Sequence, residues 1–386
     1  MNETLNQCIE TLSTLIRFPS VSHTSNQAIT QWLAEKCKAM GAQTELLSYQ
    51  DDTATQKVSL LAKLGEGTGG VAYFGHSDVV PAEDWAAGES GPFEPRIAED
   101  KLFGRGSCDM KGSVSCFLTA MEQFHEKCPN HGPIYFVCTS DEEVGFQGAE
   151  YISQNATLYQ EMVERNVPGI IGEPTLLNVV HAHKGVVVLK ITSHGVAAHS
   201  SSLKGVNANW NLIPVLEECR RMNEDVMNNP QWQNDSFDPP SIGWNLRVND
   251  GMGAVNITAA QSTALLSFRP MPGQNAEILI ERIRNVSQAN ACELEILQNS
   301  APFGRSPDSN WTKQMLELTD HPQSFSVSYG TDASCFGDLP ELVVCGPGSI
   351  EQAHTNAEFI TLEQLEAGVE TYSRIIQTCC TDENAC

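Results

Sequence analysis

The chain has 386 residues, of which 41% are hydrophobic and 18% charged, a composition typical of a folded globular protein. Its length exceeds the size at which one hydrophobic core usually stops growing, so two domains are expected. The 48 acidic residues outnumber the 23 basic ones and give a net charge of −25, which repels phosphate backbones and anionic lipid headgroups. We therefore expect no nucleic-acid partner and no membrane partner.

The first twenty residues place Leu5, Ile9, Leu12 and Ile16 at helical spacing and lack the basic start of a signal peptide. No apolar stretch reaches the length of a membrane span. The 13 cysteines include no C-x-x-C pair, which favours reduced thiols over a structural zinc module. These features predict a cytoplasmic protein whose terminal cysteines lie in an exposed tail.

Short apolar runs alternate with helical patterns in the first half of the chain. Four of these runs are predicted strands: 58–64, 70–75, 133–139 and 169–172. Residues 110–127, in contrast, have apolar side chains at helical spacing. This alternation is typical of an α/β fold in which helices flank a sheet.

The pattern changes after residue 183. Three predicted strands alternate with two predicted helices in the order 184–195, 207–222, 256–270, 276–288 and 292–297. A β-α-β-β-α-β order fits a ferredoxin-like α+β module, although the order alone does not fix how the strands pair. After this module the chain resumes the earlier pattern and ends in a predicted helix over 362–376. We therefore expect a first domain in two parts, 1–179 and 304–386, with an inserted domain at 180–303.

Five polar segments lie at the ends of predicted strands or in the loops that follow. They are GHSDVVP with His76 and Asp78, GRGSCDMKG with Asp109, TSDEEVG with Glu142 and Glu143, IIGEPT with Glu173, and GPGSIEQAH with His354. Each segment alone is common in structural turns and loops. Ligands bind at the carboxyl ends of strands in open α/β sheets, so we expect the five to form one site. Two imidazoles and several carboxylates suit a two-metal site with one carboxylate left to move a proton.

In this order, and over nearly the whole chain, the five segments resemble the zinc-dependent family that contains acetylornithine deacetylase, succinyl-diaminopimelate desuccinylase, aminoacylases and glutamate-releasing carboxypeptidases. The resemblance implies a metallopeptidase catalytic domain with a mixed sheet flanked by helices. It also implies an inserted ferredoxin-like α+β domain that serves as a dimerisation or lid domain. Two divalent metal ions per chain are implied, with Zn²⁺ expected and Co²⁺ or Mn²⁺ compatible with the same ligands.

The resemblance also implies a role for each residue of the five segments. His76 and Glu173 would hold one metal ion, Glu143 and His354 would hold the other, and Asp109 would bridge the two ions.

Two further carboxylates have roles beside these ligands. The carboxylate of Asp78 would accept the remaining N–H of His76 and fix its tautomer. Glu142 would be the general acid/base. The Asp109–Met110 peptide bond is expected to be cis.

The inserted domain contains further residues that match the family. His199 in HGVAAHSSS matches a histidine that enters the active site of the partner subunit, which implies a homodimer. Asn256 in GAVNIT and Arg269 in SFRPMPG match residues that bind the substrate, and a guanidinium can bind both oxygens of a carboxylate. Lys184 and Ser200 are additional candidates for substrate binding.

The segments GEPT, HKG, YGTDA and PGSIEQAH are more similar to acetylornithine deacetylases than to desuccinylases. The implied reaction releases acetate and ornithine from N2-acetylornithine, a step of arginine biosynthesis. Gly330 and Asp332, in YGTDA, are candidate substrate contacts, and Asp332 could pair with a δ-ammonium group. Ala357, however, stands where the family usually has an acidic residue.

Because of this departure, other acylated amino acids remain open as substrates. The alternatives are an acetylcitrulline deacetylase, a succinyl-diaminopimelate desuccinylase and a broader aminoacylase or dipeptidase. A non-catalytic binding protein on the same fold is a competing class, but the complete ligand set and the presence of Glu142 oppose it.

Overall fold

The computed structural model describes residues 3–86, 88, 90–251 and 253–381. Among these residues, no helix is both long enough and apolar enough to cross a membrane. The helices are α1 (Glu3–Ile16), α2 (Gln27–Ala39), α3 (Lys111–Lys127), α4 (Gln147–Asn155), α5 (Thr157–Glu164), α6 (Ala208–Asn228), α7 (Glu277–Ala289), α8 (Asn310–Thr319) and α9 (Leu362–Cys380).

The strands alternate with these helices along the chain. They are β1 (Gln43–Gln50), β2 (Gln56–Leu64), β3 (Val71–His76), β4 (Arg96–Ala98), β5 (Lys101–Phe103), β6 (Ile134–Thr139), β7 (Gly169–Ile171), β8 (Val180–His183), β9 (Val186–His194), β10 (Asn245–Asn249), β11 (Gln261–Phe268), β12 (Cys292–Ser300), β13 (Phe303–Gly304), β14 (Phe325–Val327), β15 (Leu342–Val344) and β16 (Phe359–Thr361).

The chain divides into two compact units. The first consists of Met1–His181, Arg305–Phe325 and Thr331–Cys386, and the second of Ala182–Gly304 and Ser326–Gly330. The return of the chain to the second unit at Ser326–Gly330 was not expected from the sequence. It arises because the backbone N–H of Lys184 donates to the carbonyl oxygen of Val327, 3.3 Å away.

A mixed sheet with strand order β1-β2-β6-β3-β7-β15-β8 forms the centre of the first unit. Strands β6, β3, β7 and β15 are parallel neighbours, and all of their residues are buried. Buried parallel strands require near-continuous apolar sequence, such as IYFVCT in β6. The predicted mixed sheet with flanking helices is therefore confirmed. Since these four strands are parallel, their carboxyl ends meet at one edge of the sheet.

An aromatic cluster ties this sheet to the helices that flank it. The rings of Tyr73 in β3 and Phe117 in α3 stack with centroids 4.3 Å apart, and Tyr372 in α9 meets Tyr73 edge-on at 5.5 Å. The hydroxyl of Ser113 lies 2.8 Å from that of Tyr73 and 2.7 Å from that of Tyr372. The cluster thus fixes β3 and α3, the two elements next to the first two polar segments.

The second unit has the order β9-α6-β10-β11-α7-β12, the β-α-β-β-α-β order of a ferredoxin-like module, with one strand more than the three predicted from the sequence. Its sheet has the strand order β10-β11-β9-β12, and each neighbouring pair is antiparallel. Apolar residues of α6 and α7 pack on this sheet and form a separate core. The strand β10 was not among the predicted strands, although its sequence NLRVN alternates polar and apolar residues; all five residues are exposed at the sheet edge.

The cysteines depart from expectation at two places. Cys380 is buried and Cys379 half-buried at the end of α9, so the predicted exposed tail does not begin there, and Cys386 lies outside the described residues. Cys128 is disulfide-bonded, whereas eleven other described cysteines are free thiols.

Candidate metal centre

The polar segments of the first unit meet at the carboxyl edge of its parallel strands. His76 is the last residue of β3, and Glu173 follows β7 by two residues. Glu142 and Glu143 form a single helical turn just after β6. His354 lies in the loop after β15, and Asp109 lies two residues before α3, where its peptide bond to Met110 is cis as expected.

Potential metal ligands form two groups that share Asp109. The first group is His76, Asp109 and Glu173, and the second is Asp109, Glu143 and His354; within each group, the ligand atoms lie within 4.8 Å of one another.

The two groups use different oxygens of Asp109. Nε2 of His76 lies 3.1 Å from Oδ1 of Asp109 and 4.0 Å from Oε1 of Glu173. Nε2 of His354 lies 3.4 Å from Oδ2 of Asp109 and 2.9 Å from Oε2 of Glu143. A carboxylate in this arrangement can bridge two cations.

These side chains fit a divalent cation. Oε1 of Glu173 is buried and has no hydrogen-bond partner in the part of the chain that the structure describes. An unpaired buried carboxylate oxygen is costly unless it is paired or coordinates a metal. Imidazole nitrogens together with carboxylate oxygens are a donor set that zinc accepts.

Crowding and burial change the acidity of the whole group. Burial raises the pKa of Glu142 well above its usual value, and the charge of Glu173 adds to this effect. Hydrogen bonds with Asp109 and Glu143 raise the pKa of His354 to about 10. Burial opposes the ionisation of Asp109, but its hydrogen bonds with His354 and His76 hold its pKa below the usual value. Metal binding to these ligands would therefore displace protons.

Asp78 differs from its expected role. Nδ1 of His76 lies 2.8 Å from the backbone carbonyl oxygen of Asp78, and 3.8 Å from its carboxylate. The carboxylate instead accepts from the hydroxyl of Ser22 at 2.8 Å and from the backbone N–H groups of Glu142 and Glu143 at 3.2 and 3.3 Å. The backbone of Asp78 thus fixes the tautomer of His76, while its side chain holds the turn that contains both glutamates.

Asp141 also holds the turn that contains Glu142 and Glu143, a role that was not predicted from the sequence. Asp141 has a left-handed backbone with φ of 58°, and its carboxylate accepts from Nζ of Lys57 at 2.6 Å and from the hydroxyl of Tyr49 at 2.7 Å. The side chains of Lys57 and Asp141 are only 1% and 3% exposed. A buried and hydrogen-bonded ion pair of this kind costs several kcal/mol to break, so it holds Asp141 firmly next to Glu142.

In the second unit, the structure brings His199, Ser200 and Asn256 together on exposed backbone. The backbone N–H of Ser200 donates to the carbonyl of Asn256 at 2.8 Å, and His199 pairs with Ile257 in an isolated bridge. Nδ1 of His199 accepts from the backbone N–H of Ser201 at 3.3 Å and lies 2.7 Å from its hydroxyl. The neutral ring must then have its proton on Nε2, which is available as a donor.

The other candidates of the second unit differ in exposure. Arg269 is exposed directly after β11, and its backbone N–H donates to the carbonyl of Ile242. Lys184 is 2% exposed, and its ammonium donates to the backbone carbonyls of Pro239 and Ser241 at 2.7 Å each. The ammonium has three N–H donors, so one remains beside these two carbonyls on a side chain that is buried in this structure.

The two candidates in YGTDA fall in different units. Gly330 is half-buried and ends the second unit, whereas Asp332 lies in the first unit and is 2% exposed. The hydroxyl of Thr139 donates to Asp332 at 2.6 Å, and burial raises the pKa of Asp332 to about 7. Asp332 therefore has no exposed oxygen for a δ-ammonium group in this structure.

Two groups of imidazole and carboxylate ligands that share one aspartate lie at the carboxyl edge of a mixed α/β sheet, an arrangement that fits a metal-dependent hydrolase. Residues 72–378 match the family described as Peptidase family M20/M25/M40. The chain therefore belongs to this family and is an amidohydrolase.

Individual relatives agree with this assignment. The chain is 30% identical over 400 residues to acetylornithine deacetylase of Proteus mirabilis, with 100% of both chains covered. It is 31% identical over 397 residues to acetylornithine deacetylase of Pectobacterium carotovorum, covering 98% of this chain and 100% of that one. A solved M20 family metallo-carboxypeptidase from Sulfolobus solfataricus has the same fold, with a TM-score of 0.75, 17% identity, and coverage of 98% of this chain and 99% of that chain.

Proposed function

We propose that the chain is a two-metal deacetylase that converts N2-acetylornithine to ornithine and acetate, the reaction assigned to arginine biosynthesis. The main support is the position of Asp109, whose two oxygens belong to separate groups of ligands. The substrate is supported by the full-length relatives named acetylornithine deacetylase. We assign Zn²⁺ to both groups, and Co²⁺ or Mn²⁺ could occupy the same ligands.

In this proposal, the first group of ligands holds one ion and the second group holds the other. When bound, the ions would supply the Lewis acidity that polarises the amide carbonyl and lowers the pKa of a water molecule. Glu142 belongs to neither group, is 9% exposed and interacts electrostatically with Glu173 and His76. Glu142 would take the proton of the attacking water and then deliver it to the departing nitrogen.

Three residues of the second unit would complete the reaction. Nε2–H of His199 would donate to the oxyanion that develops on the acetyl carbonyl, and a fixed donor there is worth roughly 3–4 kcal/mol. Arg269 would bind the α-carboxylate of the substrate with both guanidinium nitrogens. Asn256 would contact the substrate backbone.

We also propose a homodimer that forms through the second unit, in which His199 serves the active site of the partner. Strand β10 is an exposed sheet edge that includes Leu246 and Val248, and Trp210 in α6 is 70% exposed. Exposed edges and apolar surface favour association with another chain. Light scattering after gel filtration tests the proposal: a monomer at micromolar concentration would contradict it.

Substrate choice is tested with the zinc-loaded protein and a panel of acetylornithine, acetylcitrulline, succinyl-diaminopimelate and acetylmethionine. We expect acetylornithine to give the highest kcat/KM. Acetylcitrulline is the second candidate, because its neutral side chain needs no carboxylate and Asp332 is buried against Thr139. A higher kcat/KM for acetylcitrulline would replace our assignment of the substrate while leaving the reaction type unchanged.

We further propose that the protein works in the cytoplasm. Eleven of the described cysteines are free thiols, which favours a reducing compartment, whereas the disulfide of Cys128 opposes it. Fractionation of the producing cells with immunodetection of the protein decides between the two.

A further inference from the structure

The side chain of Glu358 lies at the centre of an unusual set of hydrogen-bond donors. Glu358 directly precedes β16, is 1% exposed and follows His354 by four residues. Its Oε2 accepts from Nη1 of Arg105 at 2.8 Å and from the backbone N–H of Gly106 at 2.9 Å. Its Oε1 accepts from the backbone N–H groups of Cys108 at 2.8 Å and Asp109 at 3.0 Å. Four donors therefore converge on one buried carboxylate.

Backbone pairing brings Glu358 to this segment. Phe359 in β16 is paired with Phe103 in β5, and the backbone N–H of Gly104 donates to the carbonyl oxygen of Glu358 at 3.1 Å. Residues 104–109 then turn around the carboxylate and lead into α3. The segment that contains His354 is thus joined to the segment that contains Asp109.

We infer that Glu358 is a positioning residue for the candidate metal centre, which it serves by holding the backbone of Asp109. This inference rests on the two-metal site proposed above. Successive backbone N–H groups that face one anion form a well-defined concave binding site. Hydrogen bonds to an ionised carboxylate are roughly twice as strong as neutral ones, so the segment is held firmly. Because Asp109 belongs to both groups of ligands, its displacement would affect both ions.

A simpler role for Glu358 would be to neutralise the buried cation of Arg105. That role needs only the contact at Oε2. It leaves unexplained why Oε1 faces the N–H groups of Cys108 and Asp109, at the point where the bridging carboxylate begins. The two roles predict different results when each partner is changed separately.

The test is Glu358→Gln, which keeps the size of the side chain but replaces one oxygen by NH₂. Whichever way the amide turns, its NH₂ faces two donors and pushes them away. We expect zinc affinity to fall by about 10–100-fold, as changes next to metal ligands typically cause. Competition with a chromophoric chelator measures the affinity, and the visible spectrum of the Co²⁺-loaded protein reports altered ligand geometry.

Two matched variants separate positioning from simple charge effects. Arg105→Gln removes the cation but keeps Glu358 and the three backbone donors, and Glu363→Gln removes an exposed negative charge on α9. Both should bind zinc within about threefold of the wild type, well below the loss expected for a change beside a ligand. The inference is overturned if Arg105→Gln loses as much affinity as Glu358→Gln, or if Glu358→Gln binds zinc normally.

Hydrogen exchange of the unmodified protein gives a measurement that does not depend on the folding of a variant. With metal removed by a chelator, the amides of Cys108 and Asp109 should remain protected, because Glu358 holds them without help from an ion. Free exchange of these amides would overturn the inference.

The metal content of the wild type distinguishes failure of the proposed function from failure of the inference about Glu358. Fewer than two ions per chain would contradict the proposed function. Two ions in the wild type together with normal zinc binding by Glu358→Gln would contradict only the positioning role of Glu358 and leave the proposed function intact.

Discussion

Most candidate residues of the first unit are buried, whereas most of those of the second unit are exposed; the exceptions are His354, whose side chain is 52% exposed, and Lys184, which is buried. In the first unit, His76, Asp109 and Glu142 are 1%, 7% and 9% exposed and are held by hydrogen bonds from neighbouring elements. In the second unit, His199 and Arg269 are exposed side chains. Buried and hydrogen-bonded groups keep their geometry before a ligand arrives, whereas exposed side chains lose rotamer freedom only when they bind. The first unit is therefore preorganised for its chemistry, and the second is suited to contacts made when substrate or partner binds.

The largest expected effect in the first unit distinguishes the roles of two adjacent glutamates, Glu142 and Glu143. Glu142→Ala should reduce the rate by about 10²- to 10⁴-fold while both ions remain, because it removes a general acid/base and no ligand. Glu143→Ala should instead weaken the binding of one ion. Steady-state rates and metal analysis on the same samples measure both effects. Loss of metal from Glu142→Ala but not from Glu143→Ala would reverse the two roles.

The matching test of the second unit is His199→Ala, which should lower kcat by about 10²- to 10³-fold and leave the metal content unchanged. Mixing Glu142→Ala chains with His199→Ala chains should restore activity as subunits exchange, since one site of each mixed dimer then has both residues. If exchange is demonstrated and activity does not return, His199 acts within its own chain and the comparison of the units must be revised.

A smaller effect is expected from Asp78→Asn, a change next to the ligands. The backbone N–H groups of Glu142 and Glu143 donate to different oxygens of this carboxylate, so the new NH₂ would face one of them whichever way the amide turns. Residues that orient metal ligands typically contribute 10–100-fold to affinity or activity, and we expect a loss of about that size. Ser22→Ala removes a different donor of the same carboxylate and serves as the control. Equal activity of Asp78→Asn and wild type would show that the turn does not need this anchor.

The last of these predictions concerns the pH dependence of metal binding. The pKa of His354 is raised to about 10, so in the metal-free protein this imidazole is charged at neutral pH. Its contribution to stability is fully present below its unfolded value of about 6.5 and is lost as pH rises through about 10. Because metal binding must displace this proton, zinc affinity should fall about tenfold for each unit that pH decreases below 8. Titration calorimetry in buffers of different ionisation enthalpy would show proton release on binding, and its absence would contradict the prediction.

The sequence predicted the parts of this molecule that depend on local pattern. The buried strands β2, β3, β6 and β7 were located by their apolar runs, and the polar residues after β3, β6 and β7 by their place at the strand ends. The anchors were not predicted, because they join residues far apart in sequence: 84 positions separate Lys57 from Asp141, and 249 separate Asp109 from Glu358. A single lysine in a strand or a glutamate before one has no local signature of such a role. The exposed strand β10 was not predicted for a different reason: its alternation of polar and apolar residues, NLRVN, covers only five positions, and none of these residues is buried.

The shared aspartate has a consequence for how the ions load. In the proposed two-metal site, an ion at one group would fix the orientation of the Asp109 carboxylate and would also repel a second cation, so the two binding events would be thermodynamically coupled. By linkage, the factor by which the first ion changes the affinity for the second equals the factor by which the second changes the affinity for the first. A titration of the metal-free chain should therefore depart from the curve of two independent sites, and Asp109→Asn should change the size of this coupling.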